Sequence, residues 1–407
     1  MPEPAVFDVV VVGGGPVGGC AAALLARGAP GLSVALIEPH APPPLPADAP
    51  VDTRVVALSR ASERLLAGAG AWERIAGPRL SPYERMRVWH ESVPPAAALL
   101  FDAADVAEPN LGYIVENRWL QGALLAAFTE AGGHIERAPL TALAIGESCA
   151  QLHTPSVNLT ARLVVGADGA QSAVRRMAGI TAETSGYLQT AIVATVSTGR
   201  PHERTAWQRF MTDGTLAFLP LADGTSSIVW SADDATARRL LEASAQGFAA
   251  ELDRASDLAL GATRLVSERS SFPLTRLAAT HYVLQRLALT GDAAHVVHPL
   301  AGQGVNLGLL DAASLAQLVL DAVARHEDPG ALGVLRAYER WRRSEVALMS
   351  TAIDAFDRFL AHGTGPASRV AQQGLGWVNR SQELRRVFIR RALGLDGELP
   401  ELARRAS

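Results

Sequence analysis

Phe7-Asp8-Val9-Val10-Val11-Val12-Gly13-Gly14-Gly15-Pro16-Val17-Gly18 carries a β-branched run straight into a glycine turn. Such a run is the kind buried on both faces of a parallel sheet. The turn has G-x-G-x-x-G spacing. Gly13 permits the tight reversal, Gly15 lets the backbone approach a pyrophosphate, and Gly18 lets the next helix pack closely on the sheet. That helix presents free N–H groups and the positive end of its dipole to phosphate. After an alanine- and leucine-rich stretch, a second strand, Ser33-Val34-Ala35-Leu36-Ile37, ends at Glu38, 20 residues beyond Gly18. An acid at that place holds ribose hydroxyls. A lone glycine turn is common, but strand, glycines, helix, strand and terminal acid in register predict a dinucleotide-binding unit. The unit alone does not separate FAD from a nicotinamide nucleotide.

Two later segments repeat the pattern of an apolar strand closed by an acid. Arg162-Leu163-Val164-Val165-Gly166-Ala167-Asp168-Gly169 leads to a helix start carrying Arg175 and Arg176. Leu287-Ala288-Leu289-Thr290-Gly291-Asp292 runs on through His295 and His298-Pro299-Leu300-Ala301-Gly302-Gln303-Gly304-Val305-Asn306 into an apolar-periodic helix reaching about Arg325. A glycine-rich helix start at residues 302–306 offers close backbone N–H groups and a positive dipole to negative charge. Only one G-x-G-x-x-G follows a strand, so the sequence offers no second Rossmann unit for a nicotinamide nucleotide.

In their order, the three motifs resemble the flavin-dependent aromatic hydroxylases of the para-hydroxybenzoate hydroxylase type. That resemblance implies FAD as cofactor and NAD(P)H as a transient visitor, with Gly291 and Asp292 at the ribityl chain. It puts Asp168 and Gly169 near the cofactor and linked to NAD(P)H use, and Pro299, Gly302, Gly304, Val305 and Asn306 against the isoalloxazine ring. Asp52-Thr53-Arg54-Val55-Val56-Ala57-Leu58-Ser59 and Leu111-Gly112-Tyr113-Ile114-Val115-Glu116-Asn117-Arg118 narrow it further, to the ubiquinone-biosynthesis hydroxylases (UbiH/UbiF/VisC type). Residues 214–221 and 227–231, with the late segments 338–340 and 347–349, resemble the UbiI (VisC) branch, which hydroxylates a 2-polyprenylphenol. By the same likeness Arg54 and Arg118 lie against the cofactor, where a guanidinium fork suits phosphate and flavin oxygens. The implied reaction is ring hydroxylation with NAD(P)H and dioxygen through a flavin C4a-hydroperoxide. Hydroxylation of another ring position, as in 2-polyprenyl-6-methoxyphenol, stays open. So do a prenyl-reducing flavoprotein and a non-catalytic FAD-binding member of an assembly.

The expected fold is α/β, with α+β character in an inserted part: a Rossmann-like FAD-binding domain (1–80, 104–180, 275–330), an antiparallel-sheet substrate domain (81–103, 181–274) and C-terminal helices (331–407). Trp207 to Met211, Thr215 to Pro220 and Ser226 to Trp230 read as a meander, with residues 81–102 adding strands. Val346, Met349, Ile353, Phe356 and Leu360 mark one helix face. Residues 375–395 mix apolar side chains with five arginines, which suits a membrane surface, a solvated helix or a protein contact equally.

With 407 residues, 48% of them hydrophobic, the chain can bury a large core. A net charge of -4 with interspersed signs argues against nucleic acid as the main partner. Two cysteines, Cys20 and Cys149, favour a reducing compartment. No signal-peptide pattern opens the chain, and no run of about 18 apolar residues suggests a bilayer span. A cytoplasmic location is expected, with peripheral contact at the inner membrane, complex membership and homo-oligomerisation left open. No metal-ligand cluster is expected. His298 is a candidate to polarise the phenol, and no catalytic side chain is assigned.

Overall fold

The computed structural model describes residues 5–43, 45–46, 49–297, 303–356, 383, 386, 390 and 396–404. Its helices are α1 (Pro16–Gly28), α2 (Arg60–Gly68), α3 (Trp72–Ile75), α4 (Asn117–Glu130), α5 (Ala173–Met177), α6 (Asp234–Glu242), α7 (Ala245–Ala255), α8 (Gln303–Ala324) and α9 (Leu332–Phe356).

The first sheet is built around the strand Ala5–Val12. It pairs in parallel with Val34–Ile37 on one side and Asn158–Gly166 on the other, and the latter pairs in parallel with Leu287–Leu289. Val9, Val10 and Val11 are fully buried, as a strand covered on both faces requires. Hydrogen bonding carries the register past the strand ends. Gly13 N donates to Ile37 O at 2.9 Å, Ala167 N to Val12 O at 2.8 Å and Thr290 N to Gly166 O at 2.9 Å. All the turns singled out from the sequence therefore leave one edge of one sheet, at the carboxyl ends of its strands, where open α/β sheets bind ligands.

The second sheet has nine strands and contains the meander Thr205–Met211, Gly214–Pro220 and Ser226–Asp233. It also holds the 17-residue strand Ala182–Thr198, which is irregular between Gly186 and Thr190. Arg85–His90 joins it in parallel with Thr205–Met211, followed by Leu99–Asp102. Ser81–Tyr83 does not. It pairs with Gly112–Glu116 in a separate three-stranded sheet completed by Val55–Leu58. On one face of the nine-stranded sheet, Ile192, Ala194, Leu216, Phe218, Ile228 and Trp230 pack against Leu240 of α6 and Phe248 and Leu252 of α7. His295–Val296 pairs with Ser270–Ala279, so the segment leaving the Gly291 turn is stitched to this second sheet.

Helix α8 is the segment that bears on the expectation of no bilayer span. Residues Gly304–Ala324 form a helix long and apolar enough to cross a membrane by length and composition. Most of that stretch is buried in the protein instead: a Cβ placed on Gly28 of α1 would lie 2.3 Å from Leu320 of α8, so the two helices are in close contact. On α9, Val346 is buried and Met349 packs on Val88 and Phe210. Leu360 and most of residues 375–395 lie outside the described residues.

Candidate active site

The glycine turn is built by close approach. Gly13 has φ +101°, and a Cβ there would sit 2.5 Å from Ala167 O. A Cβ on Gly18 would sit 1.9 Å from Gly13 O, whereas one on Gly15 would meet no described atom within 4 Å. The sequence thus puts backbone contact behind the turn and open space in front of it. No side chain caps α1, because Gly15 is the N-cap residue. Glu38 ends its strand buried, with Oε2 accepting from Gly14 N at 2.6 Å and Oε1 from His40 N at 2.7 Å. Each carboxylate oxygen keeps a further lone pair for a hydroxyl donor.

The Asp168–Gly169 turn abuts this one. Asp168 Oδ2 accepts from Ala173 N at 2.6 Å and Val174 N at 3.0 Å, and Oδ1 accepts from Ser172 Oγ. Its carboxylate therefore holds the start of α5. Arg175 is buried, donating to Ala170 O at 2.7 Å and Ala293 O at 2.8 Å, and so ties this turn to the Gly291–Ala293 turn. Burial lowers its pKa from the usual arginine value.

Gly291, at φ +58°, and Gly308 both pack on Val17 of α1, where a Cβ on Gly308 would lie 2.5 Å from Val17 Cγ2. Asp292 is exposed; desolvation by the surrounding protein pushes its carboxyl above the usual range, while His295 and Arg54 pull it back. Behind the turn lies a cluster that sequence reasoning missed. Fully buried Asp311 of α8 accepts from Gly291 N at 3.1 Å, meets His295 Nε2 at 2.6 Å and accepts from Arg342 Nε of α9 at 2.6 Å. Burial alone would raise the Asp311 carboxyl, but the charges of His295 and Arg342 and their hydrogen bonds hold it below the ordinary value. The available signal was an acid interrupting the apolar run Leu307 to Ala316, since a charge inside a buried helix demands a partner.

The Asn306 amide bonds the Val55–Leu58 strand and the start of α2. Its Oδ1 accepts from Ser59 N at 2.9 Å and Ser62 Oγ at 2.7 Å, and its Nδ2 donates to Ala57 O at 2.9 Å. Gly304 and Val305 lie on the first turn of α8. Arg54 is exposed, and its carbonyl accepts from Asn117 N at 2.9 Å, which sets it beside exposed Arg118 at the start of α4. Pro299 and Gly302, like His298, lie outside the described residues.

A family model described as an FAD binding domain matches residues 6–351. The ubiquinone hydroxylase UbiL of Rhodospirillum rubrum is 40% identical over 405 residues, covering 98% of this chain and 93% of that protein. The chain belongs to the ubiquinone-biosynthesis family of FAD-dependent hydroxylases. The 3-demethoxyubiquinol 3-hydroxylase of Escherichia coli K12 is 37% identical, over 95% of this chain and 98% of that one. Among solved structures, the p-nitrophenol 4-monooxygenase PnpA of Pseudomonas putida shares the fold, with a TM-score of 0.75 at 19% identity over 96% and 98% of the two chains.

The hydroxylase is thus an FAD enzyme of the aromatic monooxygenase class, and its residues fit the cofactor. The uncapped α1 N-terminus, the open space over Gly15 and the spare lone pairs of Glu38 suit a pyrophosphate and a ribose. Bound there, the flavin supplies the redox and oxygen chemistry. What the chain's own side chains do is hold turns: Asp168 and Arg175 fix one, Asp311 another, and Asn306 pins α8 to Ser59.

Proposed function

We propose that this hydroxylase places a hydroxyl group on the ring of a polyprenylphenol, using NAD(P)H and dioxygen, with a 2-polyprenylphenol as substrate. One observation carries the reading: the Gly13, Glu38, Asp168 and Gly291 turns leave a single sheet edge, and the chain then passes into His295–Val296, an edge strand of a second, large sheet. A cofactor on that edge would present its reactive end to that sheet. In this reading Gly13, Gly15 and Gly18 admit the pyrophosphate, Glu38 the ribose, and Asp292 the ribityl hydroxyls. Asp168 and Gly169 border the cofactor, Arg54 and Arg118 flank it, and the first turn of α8 with residues 299–306 faces the flavin. The nine-stranded sheet is the substrate unit.

The name of the Escherichia coli relative favours a second ring position, on a methoxylated or demethoxylated quinol, as the alternative. A lipophilic substrate also argues for work at the cytoplasmic face of the inner membrane. The test is deletion of the gene in its host, followed by mass spectrometry of the precursor that accumulates. A polyprenylphenol lacking one ring hydroxyl supports the proposal and names the position. An unchanged quinone pool, or a precursor differing only in prenyl saturation, overturns it.

A further inference from the structure

The nine-stranded sheet has an opening over its middle. Its central cross-strand row runs Val88, Gln208, Ala217, Val229, Val193. Ala217, Val229 and Val193 sit on the three most interior strands of this row, yet all three remain partly accessible. The flanking rows are less open: on one, Ser227 and Thr195 are buried beside partly accessible Leu219, and on the other Thr215, Ser231 and Ala191 are all buried. On the opposite face the neighbouring side chains are buried under α6 and α7. Interior positions of a wide sheet stay accessible only where nothing packs above them.

The borders of the opening locate it. Met349 packs on Val88 and Phe210 and also on Val297 and Leu307, so α9 closes one side. Leu219 packs against the cluster of Ala57, Ile114 and Leu221, which closes the other. Asn306 is bonded to Ala57 O, so the first turn of α8 stands between these two borders. The opening therefore lies between the sheet and the segment that faces the flavin.

Gln208 is the polar member of this row. Trp207 and Arg209 point to the α7 side, where Trp207 joins the apolar cluster and Arg209 donates to Ala255 O at 2.7 Å. Alternation sends Gln208 to the opening. It is 5% exposed, and its amide makes no hydrogen bond to any described residue. Neither amide atom is among the sealed polar atoms that lack a partner, so the amide itself reaches the opening with its bonding capacity free.

Resting on the proposed ring hydroxylation, we infer that Gln208 is a specificity-determining residue that hydrogen-bonds the ring oxygen of the phenol over an apolar floor of Val193, Val229 and Ala217. The amide suits either protonation state: Oε1 accepts from a phenol O–H, and Nε2 donates to a phenolate oxygen. It orients the ring without taking its proton.

The experiment uses the FAD-loaded enzyme without NAD(P)H, titrated with a short-chain 2-prenylphenol and with the matching prenylbenzene that lacks the hydroxyl. Binding is read from the perturbation of the flavin absorbance. The wild type should prefer the phenol by about tenfold, the usual worth of a hydrogen bond to a buried group. Gln208→Leu should erase that preference by weakening phenol binding and leaving the prenylbenzene unaffected or tighter, with FAD content unchanged. Gln208→Met serves in the same role should the leucine variant fail to retain FAD. If the wild type discriminates and the variant discriminates equally, the Gln208 assignment is overturned while the phenol reading stands. A wild type that binds neither compound overturns both.

Discussion

His295 and Asp311 meet at 2.6 Å in the interior, and the same Asp311 oxygen takes the Gly291 N–H. One carboxylate on α8 thereby fixes both ends of the short turn that carries Asp292. With Asp311 held ionised, Nε2 of His295 carries the proton. Arg342 reaches the other oxygen from α9, and its Nη2 has no partner among the described residues.

Removing the carboxylate leaves Arg342 buried and uncompensated. Asp311→Ala should lower the unfolding free energy by about 3 to 5 kcal/mol, measured by urea denaturation of the apo-protein. It should also weaken FAD binding, because Asp292 loses the frame that holds its turn. A loss below about 1 kcal/mol would mean that the pair behaves as a surface ion pair does.

The Asp311 carboxyl lies below its unfolded value of about 3.9, so the folded state binds that proton less readily than the unfolded chain. The contribution is complete above the unfolded value and is lost as pH falls through the folded one. Melting temperatures measured down the acid range should therefore fall more steeply in wild type than in Asp311→Asn. Parallel curves would remove this carboxylate from the acid response.

Gly15 and Gly18 separate folding from binding. Gly18→Ala forces a methyl onto the Gly13 carbonyl and should destabilise the apo-protein itself. Gly15→Ala meets open space, so its apo melting temperature should stay near wild type while FAD affinity falls, because the methyl projects into the phosphate's approach. Equal thermal losses in both variants would contradict this division.

Cys20 is fully buried in α1, and burial pushes its thiol up to about 12. Cys149 is partly exposed. At mildly alkaline pH a thiol reagent should modify Cys149 alone in the native protein and both thiols after denaturation. Modification of both in the native state would show that α1 opens readily.

The first sheet was legible because each of its motifs couples a β-branched run to a glycine or an acid at the strand end, a pattern that hydrogen-bonded register then turns into a shared edge. The meander was legible from Asp-Gly turns between alternating strands. The strand Ala182–Thr198 was not, because its first half, Ala182 to Gln189, is polar without alternation and is held by pairing with distant residues 270–279. Asp311 and Arg342 were hidden for a similar reason: they are 31 residues apart on two helices, and only the packing of α9 on α8 joins them. Asn306 was read as a flavin neighbour, and the bonds its amide makes to Ser59, Ser62 and Ala57 were not foreseen, because no periodicity foretells such partners. The opening over Ala217, Val229 and Val193 exists only once five strands are in register.

The central claim is that this chain uses its FAD site to insert an oxygen atom into a phenolic ring. The most direct measurement supplies the purified FAD-loaded protein with NAD(P)H, a short-chain 2-prenylphenol and oxygen-18 gas, and reads the product by mass spectrometry. The account predicts one heavy oxygen atom on the ring, formed with consumption of NAD(P)H. NAD(P)H oxidation that yields only peroxide, or a product gaining hydrogen in its prenyl chain with no labelled oxygen, would contradict it.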